Sequence, residues 1–122
     1  MLIVDYGHEG GSGDTLQAVS RHGYADPFEA PGERDLTAHV DFDALCTAAK
    51  AEGVRAFGPV GQGAFLRAMG IDLRAASLAK AAPERTEEFV AARERLTAPE
   101  HMGRLFKVLA LVGLGWPVPE GF

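Results

Sequence analysis

The chain opens on an uninterrupted apolar run, Met1-Leu2-Ile3-Val4, that stops at Asp5-Tyr6-Gly7-His8 and a glycine-rich stretch. A short apolar run bounded by turn residues predicts a strand buried on both faces, as in a parallel sheet. Loops that follow such strands carry function in open α/β folds, so the first eight residues read as the rim of a site. With nothing ahead of the strand to pair with, they read equally as the cut surface of a larger unit. Residues 9–14 form a loop by composition. Thr15–Arg21 alternates over too short a window to separate strand from helix. Pro27, Pro31 and Gly32 make the next stretch irregular.

Helical signals follow. Asp41 is placed to cap the free amides of a helix whose first turn also holds Asp43. Phe42, Leu45, Cys46 and Ala49 then recur at helical spacing as one apolar stripe, and Gly53 ends it. Val54–Phe57 reads as a short strand closed by Gly58-Pro59. The strand–helix–strand order predicts a crossover in a parallel sheet. Gly63–Met69 is predicted helical, with Phe65, Leu66 and Met69 on one side. Asp72 would cap an alanine-rich helix reaching Ala82. Pro83 suits the first turn of a third helix ending near Leu96, with Phe89, Val90 and Leu96 as its apolar contacts. Leu105–Val112 is apolar on both faces and predicts a central buried strand, with Gly113–Phe122 as a closing segment. No internal repeat or domain boundary stands out.

Composition narrows the class. The 122 residues are 47% hydrophobic and 24% charged, as in soluble globular domains. A net charge of -5 without a block of Lys or Arg argues against nucleic acid as a partner. The longest apolar run, Leu105–Trp116, is too short to span a bilayer and contains Lys107, so no membrane partner is expected. No basic residue precedes Arg21, and the single cysteine, Cys46, allows no internal disulfide. These features predict a cytoplasmic protein.

Six ordered motifs then carry a resemblance: D-Y-G-H at Asp5–His8, G-D-T-L-Q-A-V at Gly13–Val19, D-L-T-A-H-V-D-F at Asp35–Phe42, G-P-V-G-Q-G-A-F-L at Gly58–Leu66, M-G-R-L-F-K-V-L-A at Met102–Ala110, and the P-x-G-F ending at Pro119–Phe122. Together they resemble the C-terminal third of the MidA-like family of class I S-adenosylmethionine-dependent methyltransferases. Mitochondrial members of that family are complex I assembly factors that methylate an arginine of a partner subunit. The resemblance implies an α/β fold, the C-terminal part of a Rossmann-like sheet ordered 3-2-1-4-5-7-6 with strand 7 antiparallel. Leu2–Asp5, Val54–Phe57 and Leu105–Val112 would be strands 5, 6 and 7, and the helices of residues 63–96 an insertion. It also implies that residues 1–122 form a single unit lacking the N-terminal cofactor-binding half. S-adenosylmethionine is then the cofactor of the parent enzyme, with none of its binding residues in this chain.

Methyl transfer from a sulfonium needs the acceptor lone pair aligned with the methyl group in a site that excludes water. An arginine acceptor needs carboxylates to hold its planar fork. The resemblance places the end of strand 5 on the acceptor side, so Asp5, Tyr6, Gly7 and His8 are the candidate substrate-binding residues, joined by Asp35, His39 and Asp41. Plainer readings stand beside these. Asp41 serves as a helix cap, His39 as a backbone partner, and Asp35 as a surface carboxylate.

Other groups are weaker. Gly11-Ser12-Gly13 lacks the third glycine of a nucleotide fingerprint and reads as a flexible loop. His8, His22, His39 and His101 show no metal-ligand spacing, so no metal is expected. Cys46 on an apolar stripe reads as core, and Glu84–Arg95 as a solvated helix face. Two other classes compete with the enzyme part: a non-catalytic interaction module and a truncated fragment needing a partner chain. The expected partners are a protein substrate or subunit, and either a second copy or the N-terminal half covering the first strand. An apolar strand edge left bare favours association.

Overall fold

The first strand runs past its apolar stretch into the candidate site. In the computed structural model, which describes residues 1–11, 13–21 and 23–122, β1 spans Leu2–His8. Ser12 of the glycine-rich loop and His22 of the histidine set lie outside the described residues. Three short strands follow: β2 (Gln17–Ser20), β3 (Gly23–Ala25) and β4 (Asp35–Thr37), joined as a small sheet in the order β3-β2-β4. The ambiguous Thr15–Arg21 stretch is therefore a strand. Antiparallel partners on both sides satisfy its backbone groups, which a lone helical turn would leave free.

The main sheet has the order β5-β1-β7-β6, with β5 at Val40–Asp41, β6 at Arg55–Gly61 and β7 at Phe106–Val112. β7 lies antiparallel between β1 and β6. This is the 5-7-6 arrangement of the C-terminal part of a class I methyltransferase sheet, with helices inserted between strands 6 and 7. The central position explains the two-sided apolar run: Val108, Leu109 and Ala110 are all buried. β6 does not stop at Gly58-Pro59 but continues through it, with its register shifted between Phe57 and Val60. A proline is tolerated there because β6 is an edge strand and the ladder is already interrupted.

Helix α1 spans Phe42–Ala51, and the Asp41 side chain accepts a hydrogen bond from the Ala44 amide at 3.1 Å. Replacing Asp41 by alanine should cost about 1 kcal/mol, seen as a lower urea midpoint with an unchanged slope. Phe42 and Ala49 of the apolar stripe are buried, and Leu45 and Cys46 are half-buried.

Four helices connect β6 to β7: α2 (Gln62–Ala68), α3 (Ile71–Ala81), α4 (Thr86–Thr97) and α5 (Met102–Leu105). Two expectations need correction here. The residue capping α3 is Gly70, in the left-handed region, and Asp72 sits inside the first turn, paired with Arg93 of α4. A backbone turn at positive φ already sets the start, which frees the carboxylate for the interhelical ion pair. Pro83 opens a single 3-10 turn, Pro83–Arg85, before α4, and Val90 is exposed while Phe89 and Leu96 are half-buried. The closing segment folds back so that Phe122 packs on Phe65, with ring centroids 5.3 Å apart.

Candidate functional site

The site forms at the C-terminal end of β1, where β5 joins it in parallel. Gly7 lies opposite Val40 and His8 opposite Asp41. Each residue one place earlier falls on the other face, so Tyr6 and His39 become neighbours. Their rings meet edge to face at 5.6 Å, and Phe106 of β7 meets Tyr6 in the same way at 5.7 Å. The His8 ring lies 6.4 Å from that of His39. His39 is also held through its backbone amide, which donates to Thr15 Oγ1 at 3.1 Å.

The small sheet supplies the opposite wall. Gln17 and Thr37 are directly opposite one another across β2 and β4, as Val19 and Tyr24 are across β2 and β3. These four side chains, with Gly23, face Tyr6, His39 and Leu105 across an open cleft of about 700 Å³. A second cleft of about 600 Å³ lies on the far side of Leu105. It is lined by Gly7, His8 and Glu9 from the end of β1, by residues 99–101, and by Arg104 and Lys107.

The predicted site residues divide between these positions. Tyr6 and His39 share the first cleft, and Gly7 and His8 border the second. None of the three carboxylates lines either cleft. Asp5 Oδ1 accepts the amide of Tyr6 at 2.8 Å, Asp41 caps α1, and Asp35 is exposed on β4. Short acidic side chains at strand and helix ends are drawn to unpaired backbone amides. Gln17, Tyr24, Thr37, Arg104 and Lys107 were not singled out, although all but Tyr24 fall within quoted motifs. Only the tertiary arrangement of the strands and of α5 brings them to the clefts.

Cys46 lines neither cleft. Burial pushes its thiol above the usual value, and the nearby Asp43 and Glu9 carboxylates push it further, so it stays protonated and weakly nucleophilic. A Cβ built on Gly11 or Gly13 meets nothing within 4 Å.

Sheet order and the helices inserted between β6 and β7 match the C-terminal part of a class I methyltransferase fold. Residues 1–60 match the family model described as "Putative S-adenosyl-L-methionine-dependent methyltransferase". A fruit-fly protein (Drosophila melanogaster) named mitochondrial protein arginine methyltransferase NDUFAF7 homolog is 45% identical over 112 residues, covering 90% of this chain but 26% of its own length. Two solved proteins from Burkholderia thailandensis are each 30% identical. One superposes with a TM-score of 0.88 over 99% of this chain and 34% of its own. The other, bound to S-adenosyl-homocysteine, gives 0.83 over 98% of this chain and 33% of its own. The chain is related to that methyltransferase family and corresponds to the C-terminal part of its longer members. It spans about a quarter of the length of the curated relatives it matches.

The cytoplasmic expectation is overturned by these relatives, which are named as mitochondrial proteins. An unpaired cysteine fits any reducing compartment and does not single out the cytoplasm.

Proposed function

We propose that this chain forms the acceptor side of an S-adenosylmethionine-dependent methyltransferase that modifies an arginine of a protein substrate. The observation that carries this reading is the cleft in which Tyr6 and His39 meet at the end of β1, facing Gln17, Tyr24 and Thr37. A guanidinium is planar, always charged and weakly hydrated, so it stacks on aromatic faces and donates to neutral oxygen acceptors. Tyr6 and Tyr24 supply the faces, and the Gln17 and Thr37 side chains supply the acceptors. This differs from a carboxylate clamp, because the charge is held by rings and dipoles. The arginine-methyltransferase names of the relatives support the same substrate class.

The cofactor contributes the methyl group and is held by residues outside this chain. β1 supports that division of labour. Gly7 and His8 pair with β5, but among the described residues nothing pairs with Leu2–Tyr6 on that side. Leu2 and Val4 are 54% and 47% exposed. Along this length the edge is thus open in the single chain, and the expected cover has to come from another segment. The remaining part of the methyltransferase, adding a strand beside β1, would bury it.

Two measurements test the reading. Calorimetry of the 122-residue chain with S-adenosylmethionine should show no binding, and tight binding would refute the acceptor-side assignment. Mixed with a polypeptide matching the rest of a relative, the chain should support methyl transfer to an arginine peptide, read as the mass gain of one methyl group. The open edge also suits a non-catalytic interaction module. That reading wins if the two polypeptides assemble and no methyl group moves.

A further inference from the structure

We propose that the second cleft takes a carboxylate, the aspartate or glutamate side chain of the same polypeptide whose arginine enters the aromatic cleft. This rests on the arginine reading above. Leu105 lines both clefts, so an extended chain crossing it presents one side chain to each.

His8 sets the polarity of the second cleft. Its Nδ1 is buried and has no hydrogen-bond partner among the described residues. A proton there would be an enclosed donor with nothing to receive it, whereas Nε2 is not enclosed in this way. A ring protonated on Nε2 offers the cleft a donor there rather than a lone pair. A cationic guanidinium, which only donates, gains nothing from that group. A carboxylate oxygen does.

The charged side chains point the same way. Lys107 Nζ holds Glu9 Oε1 at 3.0 Å, which uses both charges. Arg104 is exposed and has no ion-pair partner among the described residues. Its planar fork can hold a carboxylate through two parallel N–H bonds. The exposed Glu100 is the competing anion on this lining. The two clefts thus favour opposite charges, and the substrate they fit carries an arginine with an acidic residue close by.

The full 122-residue chain, titrated with short peptides and followed by NMR, tests this. One peptide pairs arginine with a neighbouring aspartate, a second has asparagine in place of that aspartate, and a third keeps the aspartate with alanine for arginine. The aspartate peptide should bind about tenfold tighter than its asparagine partner, the scale of a charge-assisted hydrogen bond, and added salt should narrow the gap. Because Arg104 is exposed, Arg104→Glu should fold normally and reverse the order. Glu100→Gln should strengthen the aspartate peptide. Equal affinities for the first two peptides overturn the carboxylate site and leave the arginine reading standing. Binding of the alanine peptide that is lost in Arg104→Glu upholds the carboxylate site even where the arginine reading fails. Binding by none of the three overturns it.

Discussion

Gly7→Ala is expected to take the candidate site apart while leaving most of the sheet in place. A Cβ at this position would collide with the backbone carbonyl oxygen of Val40 and approach the Phe42 ring to 2.7 Å. The carbonyl belongs to β5 and cannot turn aside as a side chain would. β5 must move away from β1, and the pairs Gly7–Val40 and His8–Asp41 go with it. Those pairs are what set His39 beside Tyr6. Overpacking of this kind costs roughly 1–3 kcal/mol. The more diagnostic effect is the loss of through-space NMR contacts between the Tyr6 and His39 rings, together with loss of arginine-peptide binding. Gly13→Ala is the control, because a Cβ there meets nothing within 4 Å. It should stay within about 0.5 kcal/mol of the parent. Retained Tyr6–His39 contacts in Gly7→Ala would show that β5 does not hold the site together.

Phe42→Ala should have the largest effect on stability. The ring is fully buried at 0% exposure, against Gly7 and on the sheet face shared by Ile3 and Leu109, which are opposite each other across β1 and β7. Truncating a buried phenylalanine costs about 3–5 kcal/mol in lost burial and in the cavity left behind. Set against the roughly 5–15 kcal/mol that hold an ordinary domain together, that is enough to leave a substantial unfolded population. Phe42 is also the first residue of α1 and follows directly on β5, so its loss should loosen the same strand that carries His39. Urea denaturation would show a much lower midpoint with a similar slope. Phe28→Ala, at a ring 79% exposed, should barely shift it. Similar losses in both variants would mean that Phe42 is not the anchor of this face.

Local patterns were enough for much of the architecture. The apolar run of Leu2–Val4, the Asp41 cap and the stripe from Phe42 to Ala49 each specify their element through near neighbours in the chain. So does the two-sided apolar run ending at Val112. Where a local rule had a competitor, it failed. Asp72 reads as a cap, yet Gly70 starts the helix and Asp72 pairs with Arg93, twenty-one positions away. Gly58-Pro59 reads as the end of a strand, yet β6 runs on because it lies at the sheet's edge.

The site was half legible for the same reason. Of the candidates drawn from the family motifs, Tyr6, Gly7, His8 and His39 line the two clefts. Their carboxylate companions were not borne into the clefts. Whether Asp5 or Asp41 serves a ligand or its own backbone depends on which unpaired amide lies within reach, and the structure gives both of them amides.

By itself, then, the sequence determined the kind and order of the longer elements and the family to which they are related, because periodicity, caps and turns act over a few residues. Only the tertiary structure decided what shares a cleft. Tyr6 meets His39 through the parallel register of β1 and β5, Gln17 meets Thr37 through β2 and β4, and Leu105 divides the two clefts from the end of α5. Those meetings are set by backbone hydrogen bonds and packing between segments that the chain keeps apart, so they depend on which strands come together and in what register. Residue type alone therefore cannot announce them.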